Sequence, residues 1–248
     1  MVLTYHNIGV EAGFNTVKYK AFEQQIAHLK QHFDIVSADS YINYIKTNGR
    51  SKEGSVLLTF DDAYTSFKEL VFPLMSLNNL PSTVFVCTGY LGRSNEWDNE
   101  ENRIPIMDEL SMLKLSESSL VTIGAHTVSH RSLSSLKDDD IKYELIESKK
   151  SLERLTGKAV NYFAYPYGQL YLNVNKTAMK AANEAAYLAA FSTNFNNINH
   201  KSDLYKLNRV DIISSDDLNI FYSKLKHNNY YYYKQNIKNA YSFLKTLK

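Results

Sequence analysis

The stretch "SVLLTFDDAY", residues 55 to 64, joins a run of strand-forming residues to two adjacent carboxylates. Apolar and β-branched side chains dominate positions 55 to 60, and Asp61 and Asp62 follow directly. This composition predicts a buried strand that ends at the aspartates. Two like charges side by side cost free energy at such a position, so the pair requires a compensating group.

Similar short runs recur along the chain between longer segments of helical periodicity. The candidate strands are residues 2–6, 33–37, 56–60, 83–87, 121–125, 161–165, 187–192 and 208–212. Apolar residues spaced three and four apart predict helices around Phe22, Ile26 and Leu29 and around Ile141 and Leu145. Strands alternating with helices are typical of a parallel sheet, and eight candidates predict a (β/α) barrel of seven or eight strands.

Composition restricts the classes of protein that fit. The chain has 248 residues with a formal net charge of +2, which gives no reason to expect nucleic acid as a partner. We find no linker or repeat and predict a single domain over residues 1–248.

Cys87 is the only cysteine, so no internal disulfide forms. No apolar run reaches the roughly 18 residues of a membrane span, and "MVLTYHNI" does not resemble a signal peptide. Removal of a leader from a longer precursor stays open.

The C-terminal segment is basic, because six lysines and no acid follow Asp217. Ile237, Ala240, Leu244 and Leu247 are spaced as on one helix face, so a helix over about 234–247 is predicted to pack on the barrel. The lysines then form a solvated face or, as an alternative, make a weak contact with an anionic cell surface.

A second strand end also carries polar groups. "VTIGAHTVSH", residues 121 to 130, ends in His126 and His130, which lie four residues apart. On a helical turn this spacing directs both imidazoles to one side, where they can reach one ion. A structural alternative exists for each pair, since histidines can hydrogen-bond at a helix start and "DDAY" can cap a helix.

Taken together, the two strand ends predict a metal site. An Asp pair and a His pair provide the three ligands that a catalytic zinc needs, with a position left open for water. Successive residues point in different directions, so one aspartate binds the ion and the other faces the open site as a base. A cation would also compensate the adjacent carboxylates. A metal beside a spare carboxylate indicates hydrolysis.

Three motifs in order resemble a known family. "TFDD" (59–62), "HTVSH" (126–130) and "YPYG" (165–168) resemble the first three motifs of the polysaccharide deacetylases, the NodB homology domain or carbohydrate esterase family 4. "TYHNI", "FAYPYG" and "LNRVDI" resemble the branch that removes N-acetyl groups from poly-β-1,6-N-acetylglucosamine. The resemblance implies a distorted (β/α) barrel, an N-acetylglucosamine polysaccharide as substrate, a role in biofilm adhesion, and a secreted or cell-surface protein. We expect a monomer.

The resemblance also implies residue roles. Asp61 matches the general base, and Asp62, His126 and His130 match the ligands of one divalent ion. Zinc is expected first, with cobalt, nickel or manganese as alternatives. Tyr167 matches the residue whose backbone N–H stabilises the oxyanion.

Some family features are missing. Ala164 stands where the family has an arginine that holds the catalytic aspartate, so another group must orient Asp61. "YLAAFSTNFNNIN" has no clear match to the fourth motif, and "LNRVDI" replaces the Leu-x-His that supplies the general acid. The proton donor is therefore open, with His6 and His200 as candidates.

Several residues near the motifs are candidates for contacting sugar. Trp97 and Asp98 lie in the long loop 91–105, Pro166 lies in the third motif, and Tyr171 follows it. Packing is the alternative for each. Three functions follow: a poly-β-1,6-N-acetylglucosamine deacetylase, a peptidoglycan or chitooligosaccharide deacetylase, and a carbohydrate-binding pseudoenzyme.

Overall fold

The computed structural model describes residues 1–226. Its strands are β1 (Val2–Tyr5), β2 (Asn7–Gly9), β3 (Thr16–Lys18), β4 (Asp34–Ile35), β5 (Ser55–Phe60), β6 (Ser82–Val86), β7 (Val121–Ala125), β8 (Tyr162–Ala164), β9 (Ala189–Phe191) and β10 (Val210–Asp211). Its α-helices are α1 (Tyr19–His32), α2 (Ala38–Asn48), α3 (Phe72–Leu77), α4 (Glu109–Ser116), α5 (Asp138–Thr156), α6 (Lys176–Glu184) and α7 (Leu218–Leu225). Each of the eight predicted strands is present, whereas the small β2–β3 pair was not predicted.

The main sheet is parallel and curled. Its strands lie in the order β10-β1-β5-β6-β7-β8-β9, and β4 pairs with β5 outside this path. Ser192 N–H donates to the Leu207 carbonyl at 2.7 Å, and Leu207 N–H donates to the Ala190 carbonyl at 2.9 Å. The segment before β10 thus contacts β9, the opposite end of the sheet. The predicted distorted (β/α) barrel of seven or eight strands is confirmed.

Strand β5 carries apolar side chains on both faces. All six of its residues are buried, as expected for a strand with helices on one side and the barrel interior on the other. Val56, Leu58 and Phe60 pack in the cluster that includes α1, while Leu57 packs in a second cluster with α2. Because side chains alternate along a strand, Asp61 lies on the same face as Leu57, which is the face of β5 directed to the barrel interior.

The outer helices follow the periodicity of the sequence. The α1 helix buries Phe22, Ile26 and Leu29. The α5 helix buries Ile141 and Leu145. Its first turn holds three aspartates, which stabilise the positive end of the helix dipole, and it ends at Gly157 with φ +66°. The two helix predictions made from these residues are therefore confirmed.

One lysine of the predicted basic segment is buried. The Lys224 ammonium pairs with the Asp216 carboxylate and donates to the Asp211 carbonyl at 2.7 Å. Lys224 therefore does not belong to a solvated basic face, which corrects that part of the prediction. The predicted helix over 234–247 lies outside the described residues. Within residues 1–226, no helix is long and apolar enough to cross a membrane.

Candidate active site

The polar residues selected from the sequence gather where the parallel strands end. Asp61 and Asp62 follow β5, and His126 follows β7. Tyr165 follows β8 and begins the "YPYG" turn, and His6 follows β1. In a parallel barrel the carboxyl ends of all strands meet on one face, which is where active sites form.

Three side chains form a compact donor cluster. Asp62 Oδ1 lies 3.5 Å from His126 Nε2 and 3.3 Å from His130 Nε2. The three donor atoms lie within 4.8 Å of one another, and all three residues are buried. Among the described residues, Asp62 Oδ1 has no hydrogen-bond partner. One carboxylate oxygen and two imidazole nitrogens directed at a common point fit a divalent ion such as zinc.

The neighbours of His126 determine which nitrogen faces the cluster. His126 Nδ1 lies 2.7 Å from the Ala164 carbonyl, so this nitrogen carries the proton and donates it. Nε2 is then left with a lone pair toward Asp62. Burial lowers the pKa of His126 to about 4, which keeps the imidazole neutral. Both effects prepare His126 to bind a metal.

Asp62 is held as a carboxylate. Its burial acts to raise the pKa, but the His130 ring, whose Nε2 lies 3.3 Å from Asp62 Oδ1, lowers the pKa well below its usual range. Asp62 therefore stays ionised at neutral pH, in the state that a metal ligand requires.

The loops of the site contain strained backbone. Asp62, Thr127, His130 and Tyr167 have φ values of 70°, 68°, 56° and 59°, in the left-handed region that such residues seldom occupy. Gly168, with φ +64°, has no room for a side chain, since a Cβ there would lie 2.7 Å from Thr193 N. Strain of this kind collects at functional sites, where the surroundings hold it in place.

Asp61 is paired with an arginine that the sequence analysis did not assign. Arg209 Nη1 lies 2.7 Å from Asp61 Oδ1, and Nη2 lies 2.8 Å from Oδ2. The guanidinium also donates from Nε to the Ser192 carbonyl at 2.9 Å. Arg209 is fully buried in the barrel. It orients Asp61, which the methyl side chain of Ala164 cannot do.

Arg209 also sets the charge state of Asp61. Burial acts to raise the pKa of Asp61, but the charge of Arg209 and its hydrogen bonds lower it below the usual value. The sequence held a signal for this pair, because an arginine inside the strand-like run "LNRVDI" is buried only if a carboxylate accompanies it.

The two candidate proton donors lie in different places. His6 Nδ1 is 3.8 Å from Asp211 Oδ1, and its side chain is 23% exposed. Burial acts to lower the pKa of His6, but the charges of Asp211, Asp62 and Asp61 together raise it. His200 is exposed, and its backbone forms an isolated antiparallel β-bridge with Arg50, which precedes β5 in the chain. The six residues of β5 span ~20 Å, so His200 lies at the opposite end of the barrel, which corrects its candidacy.

The remaining candidates surround His130 to different degrees. The Trp97 ring stacks on the His130 ring at 4.0 Å, and the Tyr167 ring meets it edge-on at 5.0 Å. Asp98 lies close enough that its charge, after burial, raises the pKa of Tyr167. Pro166 is buried, whereas Tyr171 is 70% exposed on the surface.

Two curated relatives cover most of the chain. The putative polysaccharide deacetylase YxkH of Bacillus subtilis is 23% identical over 212 residues, which are 85% of this chain and 70% of that protein. The poly-beta-1,6-N-acetyl-D-glucosamine N-deacetylase of Staphylococcus aureus strain N315 is 27% identical over 204 residues, 81% of this chain and 69% of that protein.

Solved structures share the fold. IcaB from Ammonifex degensii has a TM-score of 0.77 at 22% identity, over 91% of this chain and 96% of that chain. The Streptococcus pyogenes deacetylase PplD, in complex with acetate, has a TM-score of 0.74 at 22% identity, over 90% and 96%. Both agree with the curled parallel sheet described above.

The polysaccharide deacetylase family model matches residues 48–190. This region is more than half of the chain and contains Asp61, the three clustered donors and the "YPYG" turn. The chain therefore belongs to the polysaccharide deacetylase family and is a de-N-acetylating hydrolase.

Proposed function

We propose that this protein removes N-acetyl groups from a β-linked N-acetylglucosamine polysaccharide, with poly-β-1,6-N-acetylglucosamine as the preferred polymer and a divalent metal ion as cofactor. The observation that carries the proposal is one arrangement of side chains. An ionised carboxylate, Asp61, is held by Arg209 beside the cluster of Asp62, His126 and His130. A base next to three converging ligands is what metal-assisted amide hydrolysis requires.

Asp62, His126 and His130 would hold the ion, with zinc favoured by the two nitrogen donors and one oxygen donor. When bound, the ion supplies a Lewis acid that polarises the N-acetyl carbonyl and makes water more acidic. The buried Asp62 Oδ1, which lacks a partner among the described residues, and the neutral His126 support this assignment.

Asp61 takes the proton from the attacking water. Each carboxylate oxygen has two lone pairs, so both oxygens retain accepting capacity while Arg209 occupies one site on each. Arg209 keeps Asp61 ionised and fixes its direction. Because the water is made more acidic, a base with a lowered pKa still suffices.

Two further groups complete the reaction. The Tyr167 backbone N–H donates to the oxyanion that forms when water attacks the carbonyl. Its turn is held by Thr193, whose N–H donates to the Gly168 carbonyl at 2.9 Å and whose hydroxyl donates to the Tyr167 carbonyl at 2.7 Å. His6, with a raised pKa beside Asp211, donates the proton that the departing amine needs.

The choice of polymer rests on the relatives. The Staphylococcus aureus protein is named for poly-beta-1,6-N-acetyl-D-glucosamine, so we propose that polymer, a role in biofilm adhesion, and action outside the cell or at its surface. Trp97, Asp98 and Tyr171 are proposed to contact the sugar chain. A peptidoglycan or chitooligosaccharide deacetylase is the alternative with the same chemistry.

A carbohydrate-binding pseudoenzyme is the alternative of another class. The Asp61–Arg209 pair argues against it, because a binding protein has no use for a buried, oriented base beside three metal ligands. Retention of such a costly buried charge pair is better explained by catalysis.

Acetate release tests the proposal. The purified protein is incubated with β-1,6-linked and β-1,4-linked N-acetylglucosamine oligomers, before and after removal of metal with a chelator and after addition of zinc. We expect faster release from the β-1,6 oligomers, loss with chelator and recovery with zinc. Preference for the β-1,4 oligomers would support the alternative substrate. Failure to release acetate from any oligomer by the zinc-loaded protein would support the pseudoenzyme.

A further inference from the structure

The two histidines of the donor cluster are oriented in different ways. His126 Nδ1 is hydrogen-bonded to the Ala164 carbonyl at 2.7 Å. His130 Nδ1 is buried and has no hydrogen-bond partner among the described residues. Metal-binding histidines are ordinarily held by a hydrogen bond from the second ring nitrogen. Something else must therefore hold the His130 ring in its binding orientation.

Aromatic rings enclose His130. The Trp97 ring lies against its face, with centroids 4.0 Å apart and planes 17° apart. The Tyr167 ring and the His126 ring meet it edge-on, each at 5.0 Å. Trp97 is supported in turn by the edge-on Tyr90 ring at 4.8 Å. The stacked indole is the contact that restricts tilting of the His130 plane.

Hydrogen bonds within the loop hold Trp97 in place. Asn95 is fully buried at the base of the loop. Its side-chain amide donates to Asp98 Oδ2 at 2.8 Å and to the Asn102 carbonyl at 3.1 Å, and its oxygen accepts from Ile104 N–H. The Ile106 N–H donates to the Arg93 carbonyl at 2.9 Å, which closes the loop. These hydrogen bonds hold the loop in the shape that places Trp97 against His130.

We propose that Trp97 is a positioning residue for His130 and increases the affinity of the site for its metal ion. It restricts the His130 ring as the Ala164 carbonyl restricts His126. An imidazole that binds a cation also gains positive character, which the indole face stabilises. One face of Trp97 is therefore occupied by His130, so sugar stacking does not explain this side of the ring. This inference rests on the proposed metal site.

Metal affinity tests the inference without substrate. Zinc is titrated into the metal-free full chain in competition with a chromogenic chelator, for wild type, Trp97→Phe, Trp97→Leu and the control Tyr143→Leu, which removes an exposed aromatic ring from α5. Losing an outer partner of a ligand weakens metal binding ~10- to 100-fold. We expect a loss in this range for Trp97→Leu, a smaller loss for Trp97→Phe and no change for Tyr143→Leu.

Three outcomes overturn the inference, and two of them leave the proposed function standing. If Trp97→Leu binds zinc like wild type but has a higher KM for oligosaccharide at unchanged kcat, Trp97 is a sugar-binding residue and the metal site stands. If wild type does not bind zinc, the metal site and this inference both fail. Trp97 is the only tryptophan, so zinc must also change the wild-type tryptophan fluorescence. An unchanged emission at saturating zinc overturns the stacking role even if Trp97→Leu does not fold.

Discussion

Arg209 binds both carboxylate oxygens of Asp61, at 2.7 and 2.8 Å, from a position 148 residues later in the chain. The pair spans the barrel interior between the end of β5 and the start of β10. The family resemblance implies an arginine near the third motif as the usual partner of this aspartate, and this chain has Ala164 at that position. The same interaction is therefore made from another strand, which explains how the site tolerates the alanine.

The first prediction concerns the geometry of this pair. Arg209→Lys keeps a positive charge but cannot donate two parallel hydrogen bonds from a planar group. We expect kcat to fall ~10²-fold or more, as for a misdirected general base. Zinc affinity should stay near the wild-type value, because Arg209 does not contact the three ligands. Acetate-release kinetics and chelator competition measure the two effects.

Arg209→Met supplies the matching stability test. Breaking a buried ion pair by removing one partner costs about 3–5 kcal/mol, so this variant should melt at a clearly lower temperature. Asp61→Asn/Arg209→Met, which removes both charges, should recover much of that stability without recovering activity. If Arg209→Lys is as active as wild type, the bidentate contact between Arg209 and Asp61 is not needed to orient the base.

The second prediction separates the two adjacent aspartates. Asp61→Asn should still bind zinc but lose ~10²- to 10⁴-fold in kcat, because it lacks the general base. Asp62→Asn should lose zinc affinity first, since it removes the only anionic member of the donor cluster. High zinc concentrations should partly restore Asp62→Asn and leave Asp61→Asn inactive. The opposite pattern would exchange the roles of the two residues.

Much of the fold was predictable because local patterns and long-range packing agree. The β5 run is apolar at every position, and all six residues are buried. The α1 face formed by Phe22, Ile26 and Leu29 is likewise buried. The β2–β3 pair was missed because each strand has a single apolar residue, Ile8 or Val17, between polar or glycine neighbours, which gives no apolar run or alternation to recognise.

The site was predictable as far as it depends on strand ends. Asp62, His126 and His130 each follow a strand, and parallel strands bring such residues to one face. Arg209 and the stack of Trp97 on His130 were not predicted, because both depend on contacts between distant segments. His200 failed as a site candidate for the same reason, since proximity in sequence to β9 says nothing about which end of the barrel a loop reaches.

The third prediction concerns the proton donor. His6→Asn should lose ~10²-fold or more in amide hydrolysis, because an amine leaving group needs a proton. An aryl acetate has a leaving group that departs without one, so cleavage of such an ester should be nearly unchanged. Equal losses with amide and aryl ester would show that His6 acts in some other way.

The fourth prediction is a pH effect on the same residue. The charge of Asp211 helps to raise the pKa of His6, and an acid works only while protonated. Activity should therefore fall as pH rises through the pKa of His6. Asp211→Asn removes the nearby charge and lowers that pKa, so the alkaline limb of the pH–rate profile should move to lower pH. A profile that keeps its alkaline limb would exclude His6 as the group that titrates there.

The fifth prediction concerns the support beneath the His130 loop. Glu144 on α5 is buried, and its Oε2 accepts from the backbone N–H groups of Val128 at 2.8 Å and Ser129 at 2.9 Å. Its other oxygen accepts from the Ser129 hydroxyl. Thr127 and His130 on either side have φ values of 68° and 56°. The carboxylate therefore holds a strained turn in the shape that directs His130 at the donor cluster.

Glu144→Gln removes the negative charge and replaces one accepting oxygen with an NH₂ group, which cannot accept the hydrogen bond from the Ser129 hydroxyl. Hydrogen bonds to charged groups contribute about 1.5–3 kcal/mol each, so the turn should loosen and zinc affinity should fall ~10-fold or more. Glu147→Gln, on the same helix but paired with Arg154 near the surface, is the matched control and should bind zinc like wild type. A Glu144→Gln protein that melts at a lower temperature but binds zinc normally would limit Glu144 to a structural role, because the turn would then reach its binding shape without the carboxylate.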